Sequence, residues 1–181
     1  MYDVLVRGGL VVDGTGSPAK HLDVGIKDGK IVAVATRITD KGCQEIDATG
    51  LVVAPGFIDT HSHSDLMLLA NPSLEEKIRQ GITTEILGQD GLGLAPIPSS
   101  EAANMLTEHL AGLLGRPHIE WTWRTFGEYL HAYQNKGTVL NVGTLVSHGA
   151  LRIAVFGMED RPSTAAELAA MKSLLVEALE A

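Results

Sequence analysis

Apolar residues in the first 55 positions recur in short alternating runs broken by turn residues. VLVRGGLVV is interrupted at Gly8-Gly9. DVGIKDGKIVAVA sets Asp28-Gly29 between two alternating arms, the spacing of a two-residue β-hairpin. EIDATGLVVAP carries a further turn before another strand. No helical period occurs here, so residues 1–55 read as a small β-sandwich or a portion of one. From residue 56 strand-like and helix-like segments alternate, the pattern of βα units on a parallel sheet.

The first strand of that second region runs into GFIDTHSHSD. Ser73 and Glu76 stand at capping-box spacing and predict a helix ended by Gly81. ITTEIL is the second strand and ends in GQDG. A helix is expected from about 100 to 114, with Met105, Leu106, His109, Leu110 and Leu113 on one face and Gly115 closing it. Thr125 with Glu128 opens another helix, and Gly137 lies past its end. TVLNVGTLV is the third strand, ending in SHG. A last helix starts near Thr164, boxed by Glu167, with Leu168, Met171, Leu175 and Leu179 as its buried stripe. It reaches the final residue without a stop signal. Three βα units cannot close a parallel barrel, which typically needs about 250 residues. The expectation is an α/β fragment: a β-sandwich (composite) segment over 1–55, then the first three βα units of an incomplete (β/α)8 barrel over 56–181.

Composition narrows the class. Hydrophobic content of 45% fits a globular chain, and a net charge of −8 lacks the basic footprint of a nucleic-acid partner. Cys43 is the one cysteine, so no intrachain disulfide forms, which fits a reducing compartment. The N-terminus has no basic-then-apolar signal pattern, and no apolar run reaches the ~20 residues that span a bilayer. These features predict a soluble, cytoplasmic protein without membrane contact.

The chemistry concentrates at the strand ends. If the first barrel strand continues through its motif, Phe57, Asp59, His61 and His63 share one face. Two imidazoles then point side by side, and neutral imidazole is a common ligand for zinc and related metals. In α/β barrels the working residues sit at the C-terminal strand ends. The three tips here offer His61/His63, then Gln89-Asp90, then His148. Asp90 reads either as a metal ligand or as an Asp-Gly turn. Asp59 reads as a ligand or as an acceptor that orients His61 or a neighbouring amide, and Asp65 as a cap for the next segment. His148 either hydrogen-bonds substrate or satisfies a loop carbonyl. Arg152 either meets a substrate carboxylate or forms a structural salt bridge. His21, His109, His118 and His131 read as ordinary surface histidines. A metal at the tips lowers the pKa of bound water toward ~7, chemistry suited to hydrolysis of an amide or related C–N bond.

The string VVAPGFIDTHSHSD resembles the first barrel strand of the amidohydrolase superfamily. SLEEKIRQGITTEILGQDGLGLAPI and NVGTLVSHGALRIAVFGMEDRPSTAAELAAMKSLL are similar to the N-acyl-D-amino-acid deacylase (D-aminoacylase) group, as is the opening VRGGLVVDGTGSPAKHLDVGIKDGKIVAV. The resemblance covers essentially the whole chain. It implies a β-sandwich on a metal-dependent (β/α)8 barrel, one or two Zn2+ ions, and hydrolysis of a small N-acyl-D-amino acid to a carboxylate and a D-amino acid. It places His61 and His63 at first-strand metal positions. It also places Asp90 where the group carries a metal-binding cysteine, and a carboxylate is the harder ligand. Two later histidines and the proton-shuttling aspartate are expected beyond Ala181, so the isolated chain is expected to be inactive. Cyclic-amide hydrolases of the dihydroorotase or hydantoinase kind, and a catalytically silent homologue, are the alternatives.

Overall fold

Five strands organise Met1–Pro55 in the computed structural model, which describes residues 1–181 and divides at Pro55/Gly56 into two units. They are β1 (Tyr2–Val11), β2 (Lys20–Lys27), β3 (Lys30–Ala35), β4 (Gly42–Asp47) and β5 (Val52–Val53). All belong to one sheet of order β3-β2-β1-β4, with β5 also on β1. β1 pairs antiparallel with β2 and parallel with β4 and β5. The β2–β3 hairpin turns at Asp28 and Gly29, both at positive φ (50° and 70°), as the two-residue turn that matches strand twist requires. Gly8-Gly9 does not end a strand. β1 runs through it, and the register against β2 shifts between Val6 and Gly9, so the pair marks a bulge. Asp23 is buried and accepts from the amides of Gly8 (2.8 Å) and Ile38 (2.9 Å), fixing the bulge.

The second unit runs β6 (Phe57–Asp59), α1 (Asp65–Ala70), α2 (Glu75–Ile78), β7 (Ile82–Leu87), α3 (Ser100–Leu114), α4 (Phe126–Lys136), β8 (Asn141–Thr144), α5 (His148–Phe156) and α6 (Ala165–Glu180). Its sheet is parallel, in the order β6-β7-β8. Consecutive parallel strands joined through helices make this the α/β arrangement the alternation predicts. Leu66, Leu68, Leu87, Leu94, Leu106 and Trp123 are among the side chains that form its core. The Trp123 indole donates to the Leu94 carbonyl at 2.7 Å, so its one polar atom is satisfied inside. No helix is long and apolar enough to cross a membrane.

The cap signals divide. Thr125 and Thr164 both form full capping boxes with Glu128 and Glu167, and Gly137 closes α4 in the left-handed region. Ser73 caps nothing: its hydroxyl donates to Asn71 Oδ1 at 2.7 Å, and α2 starts after Leu74. The local side-chain bond competes with the cap; the helix expected between Ser73 and Gly81 is the four-residue α2, and α1 precedes it without having been predicted. The α3 stripe is Ala102, Ala103, Leu106, Leu110 and Leu114, while Leu113 is exposed. In α6 only Met171 and Ala178 are buried; Leu168 and Leu179 of the expected stripe are exposed. β8 is confined to four residues of the TVLNVGTLV run, and α5 is a helix that the apolar string HGALRIAVF does not announce.

A substitution pair tests the cap assignment. Thr125→Ala is expected to lower unfolding stability by about 1 kcal/mol in urea, the usual cost of losing a helix cap. Ser73→Ala should stay within about 0.5 kcal/mol of the parent, as an exposed non-capping change does.

Candidate metal centre

Because β6 and β7 are parallel neighbours, their C-terminal ends lie at one edge of the sheet. β6 stops at Asp59, so the histidines stand on the loop beyond the strand rather than within it. The Ser62 amide donates to the Ile86 carbonyl at 3.3 Å, which keeps that loop alongside β7. Alternation survives the end of the strand. Ser62 is buried, whereas His61 and His63 keep 59% and 19% of their side chains exposed. After β7 the chain turns at Gly88 (φ 72°), then through Gln89–Gly91, with Asp90 itself left-handed (φ 56°, ψ 19°). Aspartate tolerates that conformation better than most residues. The turn reading of Asp90 is therefore seen, and the turn leaves its carboxylate facing the histidines.

His61 Nε2 and His63 Nε2 each lie 3.2 Å from Asp90 Oδ2. The two rings meet edge-on, with centroids 5.3 Å apart. One ligand atom from each of the three residues falls within 4.8 Å of the others. Two imidazole nitrogens and a carboxylate oxygen gathered on one point are a donor set that zinc accepts. The residues present therefore fit a divalent cation, and His61, His63 and Asp90 are the ones that would hold it.

The third tip packs against the second through backbone. Ser147 Oγ donates to the Gly88 carbonyl at 2.9 Å, and a Cβ on Gly149 would stand 2.5 Å from the Gly91 carbonyl oxygen. His148 lies between them, exposed, as the first residue of α5. Arg152 is engaged elsewhere. Its Nη2 donates to the carbonyls of Glu159 (3.0 Å) and Arg161 (3.2 Å), and its guanidinium lies 4.4 Å above the Phe156 ring. The structural salt bridge read for Arg152 is not seen, since its hydrogen-bond partners are backbone carbonyls. It also lines a cavity of about 240 Å³ with Gly91, His109 and Gly149. The structure thus gathers His61, His63 and Asp90, and leaves His148 and Arg152 outside that cluster.

Two residues unremarked in the sequence lie beneath the histidine loop. Lys77, from α2, donates to Asp59 Oδ2 and to Glu85 Oε1, each at 2.7 Å. Glu85 is fully buried on β7. A lone charge inside the apolar run ITTEIL was the available signal. The Lys77 ammonium holds the Asp59 carboxyl below its ordinary range, and Asp59 Oδ1 accepts from the His61 amide at 3.3 Å. Burial would lower Lys77, but the two carboxylates outweigh it and raise the ammonium above its usual value.

Asp65 does not cap α1; Ser64 occupies that position. Asp65 is fully buried, and its Oδ1 accepts from the Gly88 amide (3.2 Å) and the Tyr129 hydroxyl (3.4 Å). Tyr133 donates to the Asp65 carbonyl at 3.0 Å. Burial pushes the Asp65 carboxyl up to about 6 and drives both phenols well above their ordinary value. This network ties the residue two places after His63 to the turn that carries Asp90.

Two histidines on the loop after one parallel strand face a carboxylate on the turn after the next, and comparison with known proteins supplies the family in which this arrangement stands. The amidohydrolase family profile matches residues 44–181, and the chain belongs to that family. It is 41% identical over 179 residues to an N-acyl-D-aspartate deacylase of Alcaligenes xylosoxydans xylosoxydans, covering 99% of this chain and 35% of that protein. It is 37% identical over 181 residues to an N-acyl-D-glutamate deacylase of the same organism, covering 99% and 35%. The solved structure of N-acyl-D-glutamate deacylase from Bordetella bronchiseptica, complexed with zinc and a phosphonate that mimics the tetrahedral intermediate, superposes with a TM-score of 0.84. That match is 35% identical over 99% of this chain and 36% of that one. The chain spans about a third of the length of these relatives.

The donor set predicts a graded response in a zinc titration followed calorimetrically. His61→Ala, His63→Ala and Asp90→Ala should each weaken binding by more than the about 10–100-fold typical of an outer-shell change. His131→Ala, on α4 with its ring bonded to Gln134, should leave affinity unchanged.

Proposed function

We propose that this chain supplies part of the metal centre of a hydrolase that cleaves the amide bond of N-acyl-D-amino acids, releasing a carboxylate and a D-amino acid. The observation that carries the reading is the meeting of His61 Nε2 and His63 Nε2 on Asp90 Oδ2 beyond two parallel strands. Membership of the amidohydrolase family and the names of its relatives support the substrate class. A bound divalent cation supplies Lewis acidity there and lowers the pKa of water toward ~7.

The chain's own residues have separate tasks in this reading. His61 and His63 offer neutral imidazole lone pairs, and Asp90 offers a negative oxygen that offsets cationic charge. The left-handed turn at Asp90 aims that oxygen back toward the histidines. His148, exposed beside the Gly88–Gly91 turn, is assigned to hydrogen-bonding the substrate. Arg152 is assigned to shaping the cavity next to Gly91, with its guanidinium already committed to two carbonyls. No residue of 1–181 is assigned the proton transfers.

The test is release of free amino acid from N-acetyl-D-glutamate and N-acetyl-D-aspartate by the protein that carries this chain, with the L-enantiomers as controls. The expected result is cleavage of D-substrates only, abolished by a chelator and restored by zinc. Chelator-insensitive cleavage, or no cleavage of any N-acyl-D-amino acid, would contradict the assignment.

A further inference from the structure

We propose that Glu85 is a positioning residue for the imidazole pair, clamping the His61–Ser64 loop from beneath so that both Nε2 atoms meet Asp90. The inference rests on the metal-centre reading above and adds the group that shapes it. One buried oxygen, Glu85 Oε1, collects three donors: Ser62 Oγ at 3.0 Å, Ser64 Oγ at 3.2 Å and Lys77 Nζ at 2.7 Å. The two serines alternate with the two histidines in His61-Ser62-His63-Ser64. The two hydroxyls bond Glu85 while the two imidazoles meet Asp90, so alternate side chains of the loop reach different partners. Drawing both hydroxyls down onto Glu85 therefore turns both imidazoles up toward Asp90.

The clamp has a second point. Lys77 also bonds Asp59 Oδ2, and Asp59 Oδ1 receives the His61 amide, so the loop is held at its start as well as along its underside. Lys77 Nζ and Ser62 Oγ are 3.4 Å apart, which closes the network. The loop has few backbone ties of its own. Beyond the His61 amide on Asp59, Ser62 N bonds Ile86 and Ser64 N bonds the Ser62 hydroxyl. Histidine ligands held by outer partners bind metal more tightly, and loss of such partners typically costs about 10–100-fold in affinity. Here the partners act through the serine between the ligands rather than through the rings.

Three variants of this chain test the clamp, with Co2+ as the metal probe and backbone amide exchange as a metal-free readout. Glu85→Ala is expected to weaken Co2+ binding by about 10-fold or more. It should also accelerate exchange at the amides of His61, Ser62 and Ser64 while leaving those of α4 unchanged. Glu85→Gln keeps an acceptor for the serines and should recover part of both losses. The double variant Ser62→Ala with Ser64→Ala leaves the Lys77 ion pairs in place and should weaken binding in the same direction. It decides the matter if Glu85→Ala does not fold. Affinity and loop exchange unchanged from the parent, in a folded Glu85→Ala or in the double serine variant, would overturn the proposal. Absence of Co2+ binding by the parent would instead overturn the metal-centre reading, and the exchange comparison would then decide the clamp alone.

Discussion

The parallel pairing of β6 with β7 is the constraint on which the site depends. Parallel neighbours end at the same edge of a sheet, so the segments leaving them emerge side by side. Here the loop after β6 carries two imidazoles and the turn after β7 carries a carboxylate. Phe57 N bonding to Gly81 O at one end, and Ser62 N to Ile86 O at the other, hold the alignment over the whole length of β6. A one-residue slip between the strands would reverse which side chains face the cluster.

Such a meeting of polar groups needs support, and the unit provides it from two sides. Beneath the loop, Lys77 lies between Asp59 and the buried Glu85, an ammonium held against two carboxylates. Behind it, Asp65 joins the start of α1 to the Gly88 amide, with Tyr129 and Tyr133 closing around it. Buried charges and hydroxyls are costly unless each finds a partner. Their concentration under one short loop marks where position matters more to this unit than ease of burial.

Much of this was legible in the sequence because it obeys local rules. The Asp28-Gly29 hairpin, the ITTEIL strand and the boxes at Thr125 and Thr164 depend on neighbouring residues alone, and the structure shows each of them. The HxH pair and Asp90 were visible as chemistry at strand ends, and the structure brings them within one ligand sphere. Ser73 misled because a rival bond to Asn71 wins over the cap. α5 was missed because TVLNVGTLV followed by SHG reads as a strand running to its tip; Ser147 stands at the N-cap but spends its hydroxyl on Gly88 rather than on the helix. The lone charge of Glu85 in ITTEIL was visible but its partner was not: the pairing with Lys77 comes from contact between β7 and α2, which no window of sequence shows.

Zinc K-edge X-ray absorption on the zinc-loaded protein reads whether His61, His63 and Asp90 surround the ion. The expected first shell includes two imidazole nitrogens and a carboxylate oxygen, with the multiple-scattering signature of histidine rings. A shell of water oxygens alone, without ring scattering, would contradict it.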